Sequence, residues 1–186
     1  MNRLLPAVLL FCWCAQAQIR VASLNIAKKH GAAEVAKIAG QPDLRRADVL
    51  LLQEVVDGPQ YHVASAVAAA IGFREYFAPA FQLNSRFMEG LAVVSRCPIR
   101  APEVIRLPRN DLHFHTRGRI ALAVTLACPA GPLRVINTQL DDRINNDDKL
   151  RQIAELWKGT AGFNGPSLIG GDFNTGNFLW LTHLIP

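Results

Sequence analysis

Asp172 and Asn174 stand two residues apart, directly after Gly170-Gly171 and the apolar pair Leu168-Ile169. A carboxylate and an amide offer hard oxygens for a divalent cation and an N–H donor for a phosphoryl oxygen. In an extended chain residues i and i+2 share a side, so the spacing predicts that both face one pocket at a strand mouth. The two glycines let the backbone turn sharply or approach a ligand closely. Gly, Asp and Asn also build ordinary strand-end turns, so this stretch alone decides nothing. Three other apolar runs end in comparable groups. One ends at Asn25, one at Gln53-Glu54, and one at Asn137-Thr138-Gln139-Leu140-Asp141. Buried strands present polar residues at their ends, and sites in sheet proteins gather there.

The elements that must position these residues are short. Residues 19–26, 49–52, 73–77, 90–95, 103–107, 119–127 and 133–138 read as strands, and a last strand leads into Gly170-Gly171-Asp172. The run 49–52 is continuously apolar, as expected of a strand covered on both faces. Residues 31–39 and 61–71 read as helices, with Gly40-Gln41-Pro42-Asp43 ending the first and Gly72 the second. Residues 146–159 form the strongest helical pattern, capped by Asn145 or Asn146 with Asp147 and Asp148 in its first turn. Leu150, Ile153, Ala154 and Trp157 recur at helical spacing and predict its core face. Strands with interspersed helices imply α/β or α+β layers around a pair of sheets.

The 186 residues suffice for one domain with a real core, and 50% hydrophobic with 19% charged residues excludes a disordered or fibrous chain. The formal charge of +5 suits a phosphate-bearing partner without demanding one. Arg100, Arg106, Arg109, Arg117 and Arg119 gather in one segment, which favours a polyanion over a neutral substrate. Residues 1–17 read as a signal peptide: Arg3, an apolar stretch from Leu4 to Trp13, then the small-x-small site Ala15-Gln16-Ala17. The expected domain is 18–186, secreted or periplasmic, with no transmembrane segment in the mature chain. Cys97 and Cys128 stay after cleavage, either as a disulfide or as two buried thiols.

Five segments, in order, resemble the endonuclease/exonuclease/phosphatase superfamily, the deoxyribonuclease-I-like group. They are Val21-Ala22-Ser23-Leu24-Asn25, Leu51-Leu52-Gln53-Glu54-Val55, residues 89–99, Asn137-Thr138-Gln139-Leu140 and Gly170-Gly171-Asp172-Phe173-Asn174-Thr175. The resemblance covers about residues 18–176. It implies a four-layer α/β sandwich and phosphoester hydrolysis assisted by Mg²⁺, with Mn²⁺ or Ca²⁺ as substitutes. By that resemblance Glu54 and Asn25 bind the metal, and Asp172 orients or deprotonates the attacking water. Asn174 holds the phosphoryl group, Asn137 and Gln139 belong to the catalytic set, and Arg119 and Glu89 lie at the substrate phosphate. Arg117 competes with Arg119 for the arginine's role. The implied substrate is a phosphodiester, nucleic acid before phospholipid.

Two departures bear on activity. Gln139 stands where the nuclease and sphingomyelinase branches usually carry histidine; it can hydrogen-bond a phosphate oxygen but cannot move a proton near neutral pH. The family pattern also continues to a Ser-Asp-His motif, while this sequence runs from Asn177 to Pro186 with His183 between Thr182 and Leu184. Against that pattern the sandwich is C-terminally incomplete and the expected catalyst is weak. The alternatives are a truncated or degenerate module that binds metal or phosphate without turnover, and a phospholipid or phosphomonoester hydrolase on the same scaffold.

Overall fold

The computed structural model describes residues 18–109 and 117–175. The signal-peptide residues 1–17 and the tail with His183 lie outside them. Among the described residues, thirteen helices and strands follow one another in the order β1 (Val21–Asn25), α1 (Ala32–Gly40), α2 (Pro42–Arg46), β2 (Val49–Gly58), β3 (Tyr61–His62), α3 (Val63–Ile71), β4 (Arg74–Gln82), β5 (Met88–Ser95), β6 (Ile99–Arg106), β7 (Ile120–Cys128), β8 (Gly131–Gln139), α4 (Asn146–Leu156) and β9 (Ser167–Asp172). A 3₁₀ turn, Trp157–Thr160, follows α4.

The strands make two mixed sheets. The first has the order β1-β2-β5-β4, with β3 paired to the far half of β2; the second has the order β6-β7-β8-β9. β1 lies parallel to β2, and β8 parallel to β9; the remaining pairs are antiparallel. Alternation along the strands builds three apolar layers. Val49, Leu51, Leu91 and Val93 of the first sheet meet Leu122, Val124, Leu126 and Val135 of the second. Leu50, Leu52, Ala92 and Val94 point the other way, onto α1 and α3 through Ile38, Val63 and Val67. Ala121, Ala123 and Ile136 pack under Leu156 of α4. The result is the expected four-layer α/β sandwich. The run 49–52 is apolar throughout because β2 is covered on both faces.

The structure corrects several expected boundaries. β2 does not stop at Gln53-Glu54 but passes through a bulge there, where its register against β5 shifts between Leu52 and Val55, and continues to Gly58. The helix expected over 61–71 begins at Val63, because Tyr61 and His62 pair with β2. Pro42-Asp43, expected only to end α1, also opens the short α2, in keeping with proline's preference for a first helical turn.

The helix α4 overturns its predicted core face. Leu150 and Trp157 are each 62% exposed, Ala154 is exposed, and only Ile153 packs toward the core. The helix instead buries Lys149, Gln152 and Leu156. Polar groups fill that face because they anchor loops: Lys149 Nζ donates to Asn174 O at 2.7 Å, and Gln152 Nε2 to Pro108 O at 2.9 Å. Gln152 Oε1 also accepts from Asp141 N at 3.1 Å. The Asn145 side chain caps the helix by accepting from Asp148 N.

Cys97 and Cys128 form a disulfide. Cys97 follows β5 and Cys128 ends β7, so the bond ties one sheet to the other. Closing the loop between them, with a sequence separation of 31, stabilises the fold by about 3.7 kcal/mol in the chain-entropy model.

Candidate active site

The parallel pairs β1–β2 and β8–β9 set the site. In register, Asn25 lies opposite Gln53 and Gln139 opposite Asp172, so four polar strand ends emerge at one end of the sandwich. The two sheets meet there through a side chain. Asn25 Nδ2 donates to Glu54 Oε1 at 3.0 Å and to Asp172 Oδ2 at 2.9 Å. Gln139 Nε2 donates to the same Glu54 oxygen at 2.9 Å. Lys28 Nζ takes the other carboxylate oxygen of Glu54 at 2.7 Å. Burial opposes the Glu54 charge, but hydrogen bonds from Lys28, Asn25 and Gln139 and the Lys28 charge outweigh it and hold the carboxyl below its usual range.

The backbone is strained where these groups are held. Glu54 (φ 54°), Ala27 (φ 51°), Lys28 (φ 59°) and Asn174 (φ 48°) all adopt left-handed conformations. Such positions cost about 1–3 kcal/mol each and cluster at functional sites. Glu54 sits in the β2 bulge, which aims its carboxylate at Asn25. Gly171 (φ 138°) is required for a second reason: a Cβ there would collide with the Thr138 carbonyl across the β8–β9 pair.

Asn174 is not placed as the two-residue spacing predicts. Its left-handed backbone ends the extended chain, and its N–H donates to Asp172 Oδ1 at 3.0 Å, closing a tight turn. Its side-chain Nδ2 donates to Leu140 O at 2.6 Å. Asp172 is thereby fixed through both carboxylate oxygens. Asn137 does not reach the pocket at all. It is fully buried between the sheets, where Nδ2 donates to Leu52 O and Ala92 O, each at 2.9 Å, and Oδ1 accepts from Gln53 Nε2 at 2.7 Å. Gln53 likewise points inward, 1% exposed.

Glu89 and the arginines form the opposite wall. Glu89 is 2% exposed, 3.5 Å from Arg117 Nη1 and 3.7 Å from Lys28 Nζ. Burial raises its carboxyl above the usual value, against the pull of Lys28. Arg117 also lies over the Phe81 ring, 5.0 Å from its centroid. Arg119, Glu89 and Gln139 line one pocket with Phe81. Arg119 Nε is buried with no hydrogen-bond partner, and an unsatisfied buried donor costs about 1–3 kcal/mol. Lys28 escaped the sequence reading; its only signal is its position three residues after Asn25, next to Lys29 in what reads as a polar loop. Lys149, which holds the Asn174 turn, was hidden inside a helical charge pattern.

The residues present fit a hard divalent cation. Glu54 and Asp172 each accept from the same amide nitrogen, which keeps the two bonded oxygens within about 6 Å of each other. The Asn25 amide oxygen accepts from Ala27 N at 2.8 Å, and its nitrogen stands between the two carboxylates. Mg²⁺ binds through one or two carboxylates and keeps several waters, so such a sparse donor set suits it. Among the described residues no cluster of three or more His, Cys, Asp and Glu side chains forms a closed cage.

The endonuclease/exonuclease/phosphatase family model matches residues 22–186. The chain belongs to that family. Its fold is shared with the endonuclease/exonuclease/phosphatase from Beutenbergia cavernae DSM 12333, at a TM-score of 0.64 and 20% identity over 84% of this chain and 47% of that one. The family protein from Leptotrichia buccalis C-1013-b gives a TM-score of 0.65 at 15% identity, over 90% of this chain and 74% of its own. ANGEL2, a 2′,3′-cyclic phosphatase, gives 0.56 at 21% identity, over 81% and 45%. The chain therefore spans about half the length of the first and third of these proteins. Comparison with curated proteins finds no match.

Proposed function

We propose that this chain is a secreted, Mg²⁺-dependent phosphoesterase that acts on phosphodiesters, nucleic acid before phospholipid. The observation that carries the reading is the convergence of Asn25, Glu54, Gln139 and Asp172 from four strands onto one hydrogen-bonded cluster. When bound, Mg²⁺ would supply Lewis-acid neutralisation of the charge that develops on the phosphoryl oxygens. Glu54 and Asn25 would hold it. Asp172, fixed by Asn25 and by the Asn174 N–H, orients a water and accepts its proton. Asn174 spends one amide hydrogen on Leu140 O and keeps the other for a phosphoryl oxygen. Arg119 has a buried donor in want of an acceptor, and with Arg117 it gives the pocket an anion-binding wall.

One observation favours the second reading, a site that binds but turns over slowly. Gln139 occupies its place as a hydrogen-bond donor to Glu54, and an amide cannot exchange protons at neutral pH. Among the described residues no histidine bonds to Asn25, Glu54 or Asp172; His30 pairs with Lys28 O and His62 with Asp57. The readings separate in one assay: hydrolysis of DNA, of bis(p-nitrophenyl) phosphate and of sphingomyelin vesicles, with Mg²⁺ and with EDTA. EDTA-sensitive cleavage of DNA is expected. Mg²⁺ binding without turnover on any substrate selects the binding module, and cleavage unaffected by EDTA refutes the metal.

Secretion rests on the 1–17 pattern and agrees with the Cys97–Cys128 disulfide, a bond typical of oxidising compartments. Sequencing the N-terminus of protein recovered from the extracytoplasmic fraction should place its start near Gln18. Cytoplasmic protein with Met1 intact would refute that.

A further inference from the structure

Lys28 has no part in the chemistry assigned to Asn25, Glu54 and Asp172, yet its ammonium is aimed at the site's carboxylates. Two consecutive left-handed residues, Ala27 and Lys28, form the turn that carries it. Asn25 Oδ1 holds the turn by accepting from Ala27 N at 2.8 Å, and Glu54 O by accepting from Lys28 N at 3.2 Å. Neither residue is a glycine, so the turn is maintained against a conformational cost. Its effect is to set the ammonium between two carboxylates, 2.7 Å from Glu54 and 3.7 Å from Glu89.

We propose that Lys28 is a resident cation that occupies Glu54 until a divalent metal displaces it to Glu89, and so sets the metal affinity of the site. The inference rests on the reading of Glu54 as a metal ligand. An ammonium and a divalent ion on one carboxylate repel strongly in a partly buried setting. Lys28 must therefore leave when the metal arrives. It has somewhere to go: the Glu89 carboxyl is buried and already lies 3.7 Å from the ammonium. It also has room to move, because its side chain is 39% exposed. Without metal, the ammonium neutralises Glu54 and keeps the cluster of carboxylates from repelling itself. With metal, the same charge moves to the wall that faces the substrate, next to Arg117. Sites that must release their ion, or load only where it is abundant, gain from such a competitor.

The test is calorimetric titration of the protein with Mg²⁺. Lys28→Met should tighten binding by about tenfold or more. Lys28→Gln should do the same, and Lys28→Arg should stay close to wild type. Thermal unfolding in EDTA shows whether each variant is folded. Glu89→Gln removes the alternative partner, so it should weaken Mg²⁺ binding at least threefold more with Lys28 present than in the Lys28→Met background. Equal affinity in wild type and Lys28→Met, or weaker binding in the variant, overturns the proposal while leaving the metal site standing. If neither protein binds Mg²⁺ in a manner that Glu54→Gln abolishes, the metal reading fails and this inference fails with it.

Discussion

Glu54→Gln should lower Mg²⁺-dependent hydrolysis by roughly a thousandfold or more, with little change in fold stability. The substitution keeps the shape of the side chain and removes its charge. A glutamine oxygen can still accept from Asn25 Nδ2 and Gln139 Nε2, the two donors that meet on Oε1. Its amide nitrogen then faces Lys28 Nζ, which donates to Oε2 in the native chain. Two donors cannot pair, so Lys28 turns away to Glu89 or to solvent. The pair is partly exposed, and partly exposed ion pairs contribute only about 1 kcal/mol or less, so the fold survives. What is lost is the anionic oxygen that a hard cation requires. Steady-state rates at saturating substrate over a range of Mg²⁺ concentrations would show the effect, with urea unfolding as the control. Activity within tenfold of wild type would remove Glu54 from the metal site.

The second large effect concerns stability rather than rate. Asn137→Leu should destabilise the protein by about 3 kcal/mol, seen as a lower urea midpoint with an unchanged slope. The bulge in β2 breaks the ladder with β5 just beyond Leu52 and Ala92. Asn137, from the other sheet, donates to both of those carbonyls. Leucine removes three buried hydrogen bonds, two to these carbonyls and one from Gln53 Nε2, each worth about 0.5–1.5 kcal/mol. Gln53 Nε2 keeps its bonds to Leu51 O and Ser23 Oγ. A loss below 1 kcal/mol would mean that water or backbone movement satisfies the carbonyls instead. The bulge that aims Glu54 thus depends on an amide in the opposite sheet.

Strand ends were legible because a covered strand is apolar until it emerges, and polar residues mark the point of emergence. That rule located Asn25, Glu54 and Asp172 together. It misjudged Asn137, because Asn137 and Gln139 share a face and differ only in depth along β8. Pattern reveals the face of a strand; how far the opposite sheet extends is a tertiary matter. The Asp172–Asn174 pair failed for a local reason. Period-two reasoning assumes extended backbone, and Asn174 is among the few residue types that leave it readily. On α4 the apolar spacing suggested a core face that the structure exposes at Leu150 and Trp157. The helix is seated instead by Lys149 and Gln152, whose partners are backbone carbonyls that no sequence pattern displays.

The bond between Asn25 and Asp172 joins residues 147 positions apart. Contacts of such long range form late, because most of the chain must be closed into a loop before they contribute anything. During synthesis the first sheet, which ends at Ser95, can pair before β9 exists. The carboxylate cluster cannot be completed until Asp172 has left the ribosome and docked beside β8. The Asn25–Asp172 link is therefore made only once β9 has docked, and a chain made only as far as β8 carries Glu54 paired with Lys28.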